Sequence, residues 1–218
     1  MILTYTSMFG AKPKTNVSSP LEKRDHPELD MSDLLDAENT QKYQSLIGAL
    51  QWAISLGRLD IMTAVMTLSG FHAAPRQGHM DHLKRVYSYL SKMKHAVICV
   101  RTEEPDHSQL PDQEFDWAHT VYGEVKEILP KDIPVPLGKR VLMSHYLDAN
   151  LCHDLLTGRS VTGILHLANK MPIDWFSKKK NTVETATYGS EFVAARTCME
   201  QIIDLCITFC YFGVPICE

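Results

Sequence analysis

Ile173-Asp-Trp-Phe-Ser-Lys-Lys-Lys-Asn-Thr-Val-Glu-Thr-Ala-Thr-Tyr-Gly-Ser-Glu191-Phe-Val-Ala-Ala-Arg196 reads as a strand, a basic turn and a helix start that carries a carboxylate. Upstream, Tyr146-Leu-Asp148-Ala-Asn150 closes another strand, over 141–148, on a second carboxylate. In that strand Val141, Met143, His145 and Leu147 point one way, and Leu142, Ser144, Tyr146 and Asp148 the other. Residues 150–158 turn the chain, 160–168 form a second strand, Asn169-Lys170 is a tight reversal, and 171–177 form a third. Strands this close together pair as antiparallel hairpins. Beyond the quoted stretch, Tyr188, Phe192, Ala195, Met199, Ile202, Cys206 and Phe209 recur at steps of three and four. This spacing predicts a long helix that lays the stripe on the sheet and ends at Gly213 and Pro215.

Before the sheet the pattern is helical. Residues 1–40 read as an extended linker, with a possible short strand over 1–9 and a run of alternating charge from Glu22 to Asp30. Thr40 caps a predicted helix whose inward face is Tyr43, Leu46, Ile47, Leu50 and Ile54. Gly57-Arg58 breaks it, and Asp60 caps the next, with Ile61, Ala64, Val65, Leu68 and Phe71 inward. A third helix spans 79–93, with Met80, Leu83, Val86, Tyr87 and Leu90 inward and Lys84, Arg85 and Lys92 on the other side. Three such helices make a small bundle. Residues 96–101 read as a strand, and 102–138 as a connecting loop anchored by Trp117 and Tyr122. The fold class is therefore α+β. It has four parts: 1–40, the helices and strand of 41–101, the connection 102–138, and a sheet with its helix over 139–218.

Composition sets outer bounds. With 218 residues and 44% hydrophobic content the chain can bury a core. It shows neither a secretory leader nor a segment apolar enough to span a bilayer, so no membrane role is expected. The six cysteines lack a CxxC pair and read as reduced thiols. A net charge of −4 confines any nucleic-acid contact to local patches. One such patch is the Lys84, Arg85 and Lys92 face; another is the Lys178-Lys179 turn. Each reads equally as a solvated surface. His72, His79 and His82 lack the companion ligands that zinc requires.

Two acids carry the candidate chemistry. Glu191 borders the helix stripe, and a helix crossing the sheet would hold it near Asp148. Adjacent carboxylates repel, and a divalent cation relieves the conflict. Magnesium accepts oxygen ligands and keeps waters for a phosphate, as two-metal hydrolysis requires. Asp154 lies nearby in the turn. An aspartate at a strand end and a glutamate on a helix are also ordinary surface features.

The sequence resembles the C-terminal part of copia-type retrotransposon Pol polyproteins. Tyr43-Gln-Ser-Leu-Ile-Gly48-Ala-Leu-Gln-Trp52, Gly57-Arg58-Leu-Asp60-Ile61, and His79 with Leu83-Lys84-Arg85-Val86 and Tyr89-Leu90 resemble the segment after the reverse-transcriptase palm, its thumb and connection. Asp148-Ala-Asn150, Gly158-Arg-Ser-Val-Thr-Gly163, Ile173-Asp-Trp-Phe-Ser-Lys178 and Glu184-Thr-Ala-Thr-Tyr188-Gly-Ser-Glu191 resemble the first half of its ribonuclease H domain. The resemblance implies a ribonuclease H-like mixed sheet and cleavage of RNA in RNA–DNA hybrids. Asp148 and Glu191 would be catalytic and would ligate Mg2+ or Mn2+, and Lys84, Arg85, Lys92, Lys178 and Lys179 would contact the nucleic acid. The implied partners are hybrid and the rest of the polyprotein, within virus-like particles in cytoplasm or nucleus. The polymerase's paired aspartates lie upstream in the family, and its next catalytic aspartate follows a stretch like Gly213-Val-Pro-Ile216. These 218 residues carry neither, so the expectation is a fragment without cleavage activity. A non-catalytic binding or interaction module and a relic reading frame are the alternatives.

Overall fold

Asp36 starts the longest helix of the bundle, because its carboxylate accepts the Asn39 N–H at 2.8 Å and so satisfies a donor the helix cannot. That helix, α2, spans Ala37–Ser55, and its Tyr43, Leu46, Ile47, Leu50 and Ala53 are buried. It starts before Thr40, since Asp36 offers the better cap. In a computed structural model, which describes residues 2–22, 25–106, 108, 117–121, 123 and 131–216, two further helices complete the bundle. They are α3, Met62–Ser69, and α4, Gln77–Lys92. A short 3-10 turn, Leu59–Ile61, precedes α3; there Asp60 accepts from the Arg58 guanidinium at 2.9 and 2.8 Å. Gly57 closes α2 at φ 104°, a backbone conformation that favours glycine.

Two tyrosines fix how these helices meet. Tyr43 donates to the Leu68 carbonyl at 2.7 Å, and Tyr87 donates to the Leu46 carbonyl at 3.0 Å. Each hydroxyl thus finds an acceptor on a neighbouring helix, as burial demands. Residues 2–9 were expected as a strand. They form a helix instead, α1 (Ile2–Phe9), whose Tyr5 stacks on Tyr87 with ring centroids 5.0 Å apart. Ile2, Tyr5 and Phe9 recur at three and four, and tertiary contact with Tyr87 selects that period. The following residues pack on the bundle rather than leading away from it: Val17, Leu21 and Leu35 lie against the core, and Pro27–Leu29 forms a 3-10 turn. The strand expected over 96–101 is absent; those residues are irregular. Tyr122 and part of the connection lie outside the described residues.

The sheet has three strands in the order β1-β2-β3, all neighbours antiparallel. They are β1 (Met143–Asn150), β2 (Val161–Ala168) and β3 (Met171–Lys179). Asn169, at φ 53°, makes the β2–β3 reversal, and its side-chain oxygen accepts the Leu142 N–H at 3.0 Å. The one parallel contact among the described residues is an isolated bridge between Val141 and Ile216. The long helix α5 (Thr187–Tyr211) lies along β1 and β2. α3 meets β3 on the other face.

The face that α5 presents differs from the apolar stripe. Ser190, Ala194 and Cys198 are buried, whereas Tyr188, Phe192 and Met199 are 79, 61 and 56% exposed. Ala195, Ile202, Cys206 and Phe209 are half-buried. Small side chains let the helix backbone approach the strands closely. The long ones are displaced to the flank.

Two polar clusters lock the layers. Asp154, in the β1–β2 turn, is buried; it accepts the Leu156 and Thr157 N–H groups at 3.1 Å each and pairs with Lys179. Burial alone would raise its pKa, but the Lys179 bond and then the Thr157 N–H outweigh this and hold it below the usual carboxylate range. Under α5, His166 is fully buried and hydrogen-bonds Gln201 Oε1 through Nε2 at 3.0 Å. Its Nδ1 therefore accepts from His145 Nδ1, 2.7 Å away. Burial, then the adjacent His166 ring, depress the His145 pKa.

Two outcomes follow for stability. Asp154→Ala, which strands Lys179 and two amides, is expected to lower the unfolding free energy by roughly 2–4 kcal/mol in urea titrations. This contribution is present above the unfolded aspartate pKa of about 3.9 and is lost as pH falls below it. For His145, the unfolded ring takes up its proton at a higher pH than the folded one. Its contribution is therefore full above about pH 6.5 and declines as pH falls through the window beneath. Urea midpoints measured from pH 7.5 to 5 should fall for the natural chain and fall less for His145→Asn.

Candidate functional site

One candidate acid, Asp148, is on β1 itself, and the other, Glu191, is on α5, the helix packed along β1 and β2. Asp148 shares a strand face with Ser144 and Tyr146, because strand side chains alternate. On that face it lines a groove of about 290 Å3 with Tyr146, Leu165, Trp175, Leu59 and Met62. The groove is therefore roofed by the start of the helical layer, and the Asp148 carboxylate is exposed within it. The other face carries His145, and across from it His166, whose partner Gln201 belongs to α5. Glu191, half-buried in the first turns of α5, belongs to that side. Among the described residues no group of three or more histidine, cysteine, aspartate or glutamate side chains is arranged to hold a metal ion. Among the described residues the donor set does not fit a pair of divalent ions. Asp154 is unavailable as a further ligand, since Lys179 and the turn amides occupy it.

The basic candidates divide into committed and free groups. Lys179 is committed to Asp154, so it holds the turn rather than facing solvent. Lys178, one residue earlier on β3, points to the α5 side and is exposed. It lines a cavity of about 210 Å3 with Phe176, Lys180, Thr182, Val193 and Thr197. Lys180 is buried and donates to the Ser190 carbonyl and, at 3.1 Å, to its hydroxyl. Burial lowers its pKa, partly offset by the charges of Glu184 and Glu191. On α4, Lys84 reaches Asp81 at 3.1 Å and lies 5.4 Å from the centre of the Phe9 ring. Arg85 pairs with Glu22 at 2.6 Å. Lys92, in the last turn, is exposed.

The histidines of this region are structural. His79 is buried: its Nδ1 accepts the Arg76 N–H at 3.0 Å, and its Nε2 donates to the Pro27 carbonyl at 2.9 Å. Burial lowers its pKa, which suits a neutral ring that donates at one nitrogen and accepts at the other. His82 pairs with Asp25 at 3.1 Å. Sequence reasoning missed that acids at 22–30 meet Arg85, His82 and His79 of α4. The signal was the alternating charge run itself, whose acids recur opposite a basic helix face.

Comparison with known proteins extends this picture. The chain is 23% identical over 213 residues to the "Retrovirus-related Pol polyprotein from transposon RE1" of Arabidopsis thaliana, covering 98% of this chain and 12% of that polyprotein. It is 26% identical over 200 residues to the "Putative transposon Ty5-1 protein" of Saccharomyces cerevisiae, covering 91% of this chain and 49% of that protein. It is 25% identical over 165 residues to the "Secreted RxLR effector protein 161" of Plasmopara viticola, covering 76% of this chain and 92% of that protein. No described family profile matches, and no solved structure does. The chain thus spans about an eighth of the length of the plant polyprotein, 12%. Along nearly its whole length it is a relative, at low identity, of retrotransposon Pol polyproteins.

Proposed function

We propose that this chain is the part of a retrotransposon Pol polyprotein that holds an RNA–DNA hybrid, joining the reverse transcriptase's thumb and connection to the first strands and helix of its ribonuclease H domain. The observation that carries this reading is similarity to such polyproteins over 98% of the chain. The element order supports it: a helical bundle, then an antiparallel three-stranded sheet, then one long helix. In this role Lys92 and Lys178 are exposed and available to phosphates. Lysine at such a surface acts through charge and counterion release, without reading sequence. Hydrolysis of the RNA strand belongs in this reading to the parent polyprotein. Asp148 lines a groove under the helical layer and Glu191 stands on α5, an arrangement that supports holding over cutting.

A second reading is a protein-interaction module of the same fold. It is favoured by the oomycete relative, named a secreted effector, which this chain matches over 92% of its length. A module of nearly this extent therefore makes up most of a separate protein. Hybrid affinity separates the two readings.

The test is fluorescence anisotropy with a labelled hybrid across a salt series. Binding should weaken with salt at a log–log slope of roughly −2 to −4, as for a few phosphate contacts. Lys92→Gln and Lys178→Gln should each shallow that slope by about 1. With Mg2+ or Mn2+ added, the natural chain should leave the RNA strand as intact as Asp148→Asn and Glu191→Gln do. Cleavage abolished by both substitutions would overturn the holding-only reading. Salt-independent affinity would favour the interaction module.

A further inference from the structure

The acidic residues before α2 lie on α4, where they meet one arginine and two histidines. Glu22 takes Arg85 at 2.6 Å, and Asp25 takes His82 at 3.1 Å. Asp30 lies 3.9 Å from His79 and is fixed by the Ser32 N–H and hydroxyl at 3.0 and 2.9 Å. The Arg76 guanidinium reaches the Ser32 carbonyl. Glu28 turns the other way, accepting the Leu155 N–H at 3.1 Å and so pinning the segment to the β1–β2 turn. Residues 25–32, with Glu22 ahead of them, therefore form a strap along α4 in which Glu22, Asp25 and Asp30 face Arg85, His82 and His79.

The same face of α4 is the one a phosphate backbone would meet. His82, Arg85 and Lys92 are spaced by three and by seven, which puts them on one side of α4. The strap covers the first two and leaves Lys92 exposed. Its grip on Arg85 is incomplete: one guanidinium nitrogen meets Glu22, while the buried Nε has no hydrogen-bond partner. An arginine fork is satisfied by two oxygens of one anion, so the intramolecular contact leaves capacity that a phosphate fills only once the cover is displaced and Nε is uncovered. The Glu22 side chain is also 64% exposed, so its release uncovers little apolar surface. A nearby anchor and a weak tip are the properties of a displaceable cover.

We propose that Glu22 and residues 25–32 act as an acidic strap that stands in for phosphate on α4, so that the strap and a nucleic-acid backbone compete for Arg85 and His82. The proposal rests on the hybrid-holding reading above and adds its regulation. The chain is held in a low-affinity state by its own carboxylates, and a polyanion that displaces them gains the Arg85 fork.

The experiment compares hybrid affinity by anisotropy in the natural chain, in Glu22→Gln, in Glu22→Gln with Asp25→Asn, and in each with Arg85→Gln added. Thermal melting checks that every variant is folded. The Glu22–Arg85 ion pair and the Asp25–His82 contact released together correspond to roughly a tenfold change in affinity. The double strap variant should therefore bind about five- to tenfold tighter at about 0.1 M salt, the single variant should lie between, and Arg85→Gln should abolish the gain. If the double variant fails to fold, Glu22→Gln alone decides the matter. Unchanged affinity in the strap variants, with Arg85→Gln still weakening binding, would overturn the strap and leave the hybrid-holding reading intact. Absence of salt-dependent binding in every variant would overturn both.

Discussion

The buried carboxylate of Asp154 is the contact on which the assembly of the two layers depends. It closes the β1–β2 turn through two amides, ties that turn to β3 through Lys179, and sits beside Leu155, whose N–H is held by Glu28. A charge removed from water at this position is tolerable only because every oxygen finds a donor. Sheet, turn and strap are thereby joined in a few ångströms. The aspartate is near enough to Asp148 in sequence to look like part of a catalytic cluster, and its environment shows a structural role instead.

The bundle and the strands were legible because their signals are local. Tyr43, Leu46, Ile47 and Leu50 recur with the helical period, and each is buried as that period requires. Asn169-Lys170 is a reversal by its chemistry, since asparagine tolerates a positive φ. What escaped was set by contacts distant in sequence. The first nine residues have both apolar content and helical spacing, and it is Tyr87, far along the chain, that decides between helix and strand. The buried face of α5 was misread for a related reason. Periodicity finds large apolar residues, whereas this interface was chosen by the smallness of Ser190, Ala194 and Cys198.

The candidate site shows a sharper limit. Asp148 and Glu191 were placed correctly on a strand and a helix, but alternation along β1 decides which face each acid serves, and it directs Asp148 toward the helical layer. The basic residues were likewise found, without their partners. Lys179 and Arg85 read as free cations until Asp154 and Glu22 are seen beside them. Residue type was visible in the sequence; pairing was not, because each partner lies tens of residues away.

The long helix α5 turns small residues inward and keeps Tyr188, Phe192, Met199 and Ile203 in water. The molecule is thus charged where α4 runs and oily along the flank of α5. Dissolved ions act on these two regions in opposite senses. Raising ionic strength loosens anything held on the α4 cations, because the Debye length shrinks. Sulfate or phosphate at the same time raises the free energy of the exposed aromatic and aliphatic flank, because these anions strengthen apolar burial. Washing a polyanion off this protein and keeping the protein dispersed therefore call for different salts: chloride serves the first purpose without aggravating the second.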